Sequence, residues 1–170
     1  MKTKIVVLTL IMALIPVGLI MAQPQMTIYD TLKANGNYNA LVALLDKANV
    51  AEVKQMQGPF TIFAPDDAAF NKVPPETLKR IMDDEAIAKN VAFFHIIPGK
   101  YMVKDLPELK ECKTLCPTAA AQPLKFTKVG VDKYMVNNAN ITKPDMMATN
   151  GVIQGIDMVL IPPMAPPKVP

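Results

Sequence analysis

Apolar residues recur along this chain first at helical spacing and later at strand spacing. After an apolar run from Ile5 to Ile20, Thr27 to Ala34 predicts a short helix that Gly36 breaks. Asn37 then offers a cap to a helix over Tyr38 to Ala48, in which Tyr38, Leu41, Val42, Leu44, Leu45 and Ala48 share one face. A leucine stripe of this kind packs against a sheet far more often than it recognises a partner. Val50, Val53 and Met56 predict a further short helix before Gly58 and Pro59 turn the chain.

Phe60, Ile62 and Ala64 alternate with Thr61 and Phe63 as a strand does, and Pro65 ends it. Asp66 or Asp67 is placed to accept hydrogen bonds from the free N–H groups of the helical turn that follows. Pro74, Pro75 and Glu76 suit a helix start with proline in its first turn, with Leu78, Ile81 and Met82 as the buried side. A second helix from Asp83 or Asp84 sets Ile87, Val91 and Phe94 along one stripe and ends at Pro98-Gly99.

From Tyr101 onward the signals are those of strands and turns: Leu124 to Val129, Tyr134 to Asn137 after a turn at Gly130, and Val152 to Ile161. The last of these is apolar enough to be buried on both faces, with a bend at Gly155. Residues 164–170, rich in proline, cannot join a sheet ladder and predict an extended tail. No internal repeat is visible.

Lys2 and Lys4 ahead of the Ile5–Ile20 run, and the small Ala22 after it, predict a secretory signal peptide over residues 1–22. The run also approaches the length that spans a bilayer, so an uncleaved anchor is the alternative. Loss of Lys2 and Lys4 brings the formal net charge of +3 close to zero and leaves the length of one ordinary domain, with no membrane span after cleavage. No block of lysine or arginine and no aromatic-basic interleaving argues for nucleic acid, and the absence of tryptophan weakens a sugar-stacking platform.

Three segments carry a family resemblance. Gly58-Pro59-Phe60-Thr61-Ile62-Phe63-Ala64-Pro65-Asp66-Asp67-Ala68-Ala69-Phe70 resembles the first box of fasciclin domains. Phe93-Phe94-His95-Ile96-Ile97-Pro98-Gly99-Lys100-Tyr101 resembles the central box, with Phe94 where tyrosine is usual. Asn150-Gly151-Val152-Ile153-Gln154-Gly155-Ile156-Asp157 and the residues to Pro163 resemble the closing box, with Gln154 where histidine is common. The three stand in order across residues 25–163. The resemblance implies an α+β domain, a fasciclin-like fold whose strands form a twisted, wedge-like pair of β-sheets covered on one side by several α-helices. It implies no cofactor, and a role in adhesion or matrix binding through exposed loops and edges rather than a catalytic cleft.

His95 is the only histidine, and without Cys or carboxylate partners at ligand spacing it cannot fill a zinc site. A buried imidazole bonded to backbone is the favoured role, with partner contact by Phe94 and His95 next and catalysis last. Lys143-Pro144-Asp145-Met146-Met147 stands where some animal fasciclin domains carry a Glu-Pro-Asp-Ile-Met stretch linked to integrin binding. Lys143 reverses the first charge and Met146 replaces isoleucine. Asp145 and Met146 remain candidates for partner binding, although a turn cap at Asp145 and an inward-packing Met146 are favoured.

Cys112 and Cys116 form an even pair, which in an exported protein favours a disulfide. Bridged Cα atoms stand about 4.4 to 6.8 Å apart, whereas four residues of strand span roughly 13 Å. The bridge therefore predicts a turn at Lys113 to Leu115 and a contribution of roughly 2 kcal/mol. The family resemblance instead implies a strand near Thr114 and Leu115. Soft sulfur ligands also suit Cu(I), but Met56, Met82 and Met158 lie on apolar stripes, leaving only Met146, Met147 and Met164 free.

No Gly-x-Ser-x-Gly elbow, phosphate-cradling glycine loop or His-Glu-x-x-His motif is present. The expectation is a secreted, periplasmic or cell-surface module without enzymatic activity or cofactor. It would bind an extracellular or cell-surface protein or polysaccharide, as a monomer or with weak self-association. The alternative is a periplasmic thiol- or Cu(I)-handling protein on the same fold.

Overall fold

The computed structural model describes residues 26–48, 58–116 and 123–163. The expected signal segment, the expected helix at Val50–Met56 and the tail from residue 164 lie outside the described residues.

The first two helices are α1 (Ile28–Asn35) and α2 (Asn39–Lys47). Thr27 caps α1 by accepting the Asp30 N–H at 3.2 Å, and Gly36 ends it at φ 74°, a left-handed conformation that glycine adopts without a Cβ penalty. Asn37 does not cap α2, since its side-chain amide donates to Asn35 Oδ1 instead. The cap comes from elsewhere. Asp67 Oδ1 accepts the Ala40 N–H at 2.8 Å, and Asp67 Oδ2 accepts the Asn39 amide at 3.0 Å.

Strand β1 (Phe60–Pro65) leads into α3 (Asp67–Asn71), capped by Asp66 through a 2.7 Å bond from the Ala69 N–H. Of the two adjacent aspartates, one thus caps its own helix and the other caps α2. Helices α4 (Pro75–Asp83) and α5 (Glu85–Phe94) follow, the second capped by Asp84 Oδ1, which accepts the Ala86 and Ile87 N–H groups. Helix α5 stops before the expected Pro98-Gly99, because Ile96–Pro98 leaves it as strand β2 and pairs with β1.

A one-turn helix α6 (Leu106–Leu109), a two-residue β3 (Glu111–Cys112) and four longer strands complete the domain: β4 (Leu124–Gly130), β5 (Lys133–Val136), β6 (Ala139–Ala148) and β7 (Gly151–Ile156). The seven strands hydrogen-bond in the order β2-β1-β7-β6-β5-β4-β3, parallel only between β1 and β7. The fold is α+β, as the resemblance implied.

The single hydrogen-bonded order nevertheless makes two facing limbs. In a flat sheet β1 and β4, four places apart, would stand roughly 19 Å from each other. Phe63 of β1 and Phe126 of β4 instead have ring centroids 5.7 Å apart. The sheet therefore doubles over, and two register shifts along β6, at Ile141/Lys143 and Lys143/Met146, lie in the strand joining the limbs. Just past β3, the Leu115 N–H donates to Ile96 O of β2 at 2.8 Å, so the two ends of the sheet meet and neither edge stays open there.

Two cores result. Ile62, Ala64 and Ile153 face the helices with Leu41, Leu44, Leu45, Phe70, Ile81 and Val91. Phe63, Ile97, Leu124, Phe126, Val136 and Ile156 fill the space between the limbs. Both faces of β1 and β7 are thus covered, which accounts for their near-continuous burial. Gly155 is not a bend but a close approach: a Cβ there would meet the Tyr38 hydroxyl at 2.7 Å and Lys143 Cβ at 2.9 Å. The ladder ends at Ile156 rather than Ile161. Asp157 Oδ1 accepts the Asn140 N–H and Oδ2 the Asn140 amide, each at 2.8 Å, and the chain leaves the sheet.

Candidate interaction surface

His95 follows the last residue of α5 and is fully buried. Its own N–H bonds to Ala92 and Phe93, so the Val91 carbonyl has lost the helical partner it would take from His95. The ring replaces it, with Nδ1 and Val91 O 2.7 Å apart. On the other side Nε2 accepts the Leu160 N–H at 2.9 Å. A carbonyl only accepts and an amide only donates, so the ring is neutral with its proton on Nδ1. Burial pulls its pKa down to about 4, against a smaller upward pull from the Val91 bond. Both nitrogens are in use, and His95 offers neither a base nor a ligand to the outside. Phe94 is buried beside it in the core between the limbs, and it floors a shallow cavity of about 220 Å³ rimmed by Asn137, Asn138 and Met158.

Asp145 sits in the second irregularity of β6 at φ 58°, a left-handed conformation that aspartate tolerates better than most residues. Its Oδ1 accepts the Val103 N–H and the Gln154 amide, both at 2.8 Å, and its own N–H donates to Gln154 Oε1 at 2.9 Å. Gln154 also donates to Tyr101 O at 3.2 Å. The Thr61 hydroxyl donates to Gly99 O and accepts the Tyr101 N–H. This polar chain pins the turn after β2 to the middle of the sheet. Gln154, where histidine is common in the family, uses both its donor and its acceptor here. Asp145 thus clamps the bulge of β6 and, through the Val103 N–H, caps the turn after β2.

Met146 is half-buried against the helix-side core, as expected, whereas Met147 is 53% exposed. The Lys143 ammonium lies 5.8 Å from the centroid of the buried Tyr38 ring. Burial, with the Asp66 carboxylate adding to it, pushes the Tyr38 phenol pKa up. Phe94, His95, Asp145 and Met146 are thus not gathered into one exposed site.

The expected disulfide is not formed: Cys112 and Cys116 carry free thiols, both half-buried against the core between the limbs. Cys112 is held in β3 opposite Leu124, and the chain beyond it is anchored by the Leu115 bond to β2 rather than folded back on Cys112. The strand that the resemblance placed at Thr114 and Leu115 falls at Glu111–Cys112 instead. Burial pushes the Cys112 thiol pKa up, away from the reactive thiolate. Among the described residues no three His, Cys, Asp or Glu side chains come together as a metal site, and no helix is long and apolar enough to cross a membrane.

The outer surface carries large apolar side chains. Val131 is 87% exposed, Val129 51% and Met158 41%, the last contrary to its expected core position. Val129 and Val131 crown the β4–β5 hairpin, whose two strands and turn at Gly130 are legible in sequence although the exposure of its valines is not. The alternation Val129-Gly130-Val131 next to a turn aspartate was the available signal, but strand periodicity does not tell which apolar positions a core will cover.

The fasciclin domain family matches residues 36–162. Protein sll1483 of Synechocystis is 36% identical over 141 residues, covering 82% of this chain and 75% of that protein. A second Synechocystis protein, sll1735, is 29% identical over 79% of this chain and 96% of its own length. Cell surface glycolipoprotein MPB83 of Mycobacterium bovis is 28% identical over 78% of this chain, which spans 54% of that protein. Among solved structures, a FAS1 domain pair from the insect cell adhesion molecule Fasciclin I superposes with a TM-score of 0.70 at 20% identity. It covers 81% of this chain, which spans about half, 51%, of that pair. With the family match running from residue 36 to residue 162, the chain belongs to the fasciclin domain family.

Proposed function

We propose that this chain is a non-enzymatic interaction module of the cell exterior, secreted, periplasmic or surface-held, that mediates adhesion or binds an extracellular protein or polysaccharide. The observation that carries the reading is the contrast between interior and surface. His95 commits both ring nitrogens to backbone, and Asp145 Oδ1 and the Gln154 amide are bonded to backbone and to each other. Exposed apolar side chains meanwhile stand outside the two cores. Relatives named for the cell surface and for cell adhesion support the same direction. The test is a pull-down with this chain from the exporting cell's envelope and medium, beside a Cys112→Ser/Cys116→Ser variant. A saturable ligand retained by both forms is expected. No ligand for either form counts against the reading.

A second reading, thiol or Cu(I) handling, is favoured by one observation, the two unbridged cysteines four positions apart. Thiol titration with and without Cu(I) decides it. A copper-dependent loss of reactivity that chelation reverses would support this reading, and unchanged reactivity would remove it.

A further inference from the structure

The β4–β5 hairpin is longer than the core needs. Phe126 and its partner Val136 are the last buried pair, and every residue from Thr127 to Lys133 is exposed. Beyond that pair the hairpin continues through Thr127 opposite Met135, Lys128 opposite Tyr134 and Gly130 opposite Lys133, with a register shift between Lys128 and Gly130. Four further residues of strand project roughly 13 Å. At the end stand two valines with no packing role, Val129 and Val131, and Asp132 turns the chain at φ 53°. Behind them Lys128 and Lys133 flank the tip, one on each strand, and the half-buried Tyr134 lies under the Lys128 ammonium at 5.7 Å.

We propose that this tip is a lipid-surface contact, with Val129 and Val131 entering the headgroup region of an anionic bilayer while Lys128 and Lys133 meet its phosphates. Shape separates this occupant from a protein. A convex tip bearing two apolar side chains presents far less than the roughly 800 Å² per partner of a standard protein interface, whereas a bilayer surface deforms around a protrusion. Charge agrees, since the two lysines outweigh Asp132 and each basic side chain near an anionic leaflet strengthens binding about fivefold. Tyr134, apolar in its ring and polar at its hydroxyl, stands behind the tip opposite Lys128 and is of the kind that gathers at membrane interfaces. The contact goes beyond the adhesion reading: it uses two of the exposed apolar side chains that reading cites, but a protein or polysaccharide ligand could be held elsewhere on the surface with or without it.

The experiment is co-sedimentation of the full chain with vesicles of phosphatidylcholine, alone or mixed with phosphatidylglycerol. It is run beside Val129→Asp/Val131→Asp and Lys128→Glu/Lys133→Glu, whose positions lie outside both cores. Because the chain has no tryptophan, Val131→Trp supplies a local reporter. The expected result is salt-sensitive binding to the anionic vesicles that falls at least tenfold in each double variant. The reporter's emission should shift to the blue with anionic vesicles and not with phosphatidylcholine. Binding equal in the two lipids and unchanged in both variants, as the N-terminal apolar run would give, with no shift at Val131→Trp, overturns the proposal. So does a parent that leaves the vesicles unbound, or one that forms a dimer dispersed by Val129→Asp/Val131→Asp.

Discussion

Nε2 of His95 accepts the backbone N–H of Leu160 at 2.9 Å across 65 positions of the chain, tying the end of α5 to the segment that follows the last strand. With Nδ1–H on Val91 O, the ring satisfies one backbone acceptor and one backbone donor. His95→Ala should cost about 3 to 5 kcal/mol, from a cavity plus an orphaned donor and acceptor, read as a lower urea midpoint with unchanged slope.

The same histidine makes stability depend on pH. Its folded pKa, about 4, lies below the unfolded 6.5, so the unfolded chain binds the proton more readily. The contribution is complete above about pH 6.5 and is lost as pH falls through 4. Its full size is on the order of 3 kcal/mol. Urea unfolding across this window should show the decline, and His95→Gln should flatten it.

Asp66 and Asp67 are adjacent yet serve different helices. Asp66→Ala should cost about 1 kcal/mol by uncapping α3, and Asp67→Ala about 1 to 2 kcal/mol by uncapping α2, which carries Leu41, Leu44 and Leu45. Amide exchange distinguishes them: Ala40 should lose protection in the Asp67 variant and keep it in the Asp66 variant.

Gly155→Ala should destabilise by about 1 to 3 kcal/mol, because the added methyl meets the Tyr38 hydroxyl and Lys143 Cβ inside van der Waals distance. Tyr38→Phe removes one of these obstacles. The double variant should therefore be more stable than the sum of the single changes, and simple additivity would place the strain elsewhere.

Both thiols should react in the native protein without prior reduction, Cys112 more slowly than a model thiol because its burial disfavours the thiolate. Full-length mass before and after reduction checks this. A gain of two hydrogens on reduction would reveal the bridge that an even cysteine pair in an exported protein favours.

The segments that sequence made legible are those whose signals are local. Thr27 and Gly36 bracket α1, and Phe60 to Pro65 shows its alternation. The stripe of α2 is buried at Leu41, Leu44, Leu45 and Ala48 as its spacing predicts. The missed features depend on distant partners. Strand β6 is not legible because Pro144 and Asp145 resemble a loop, and its irregularity is held by Gln154 and Val103 from other parts of the chain. The end of β7 at Ile156 likewise rests on Asp157 meeting Asn140. Exposure of Val129 and Val131 follows from where the limbs close on Phe63 and Phe126, which no local pattern records.

The central claim is that the interior polar groups hold the fold and the surface does the binding. It is tested most directly by saturable binding of the labelled chain to cells that export it, comparing the parent with His95→Gln at neutral pH, where the variant is first shown to be folded. Equal affinity and capacity are predicted. Absence of saturable binding, or its loss in a folded His95→Gln protein, would contradict the account.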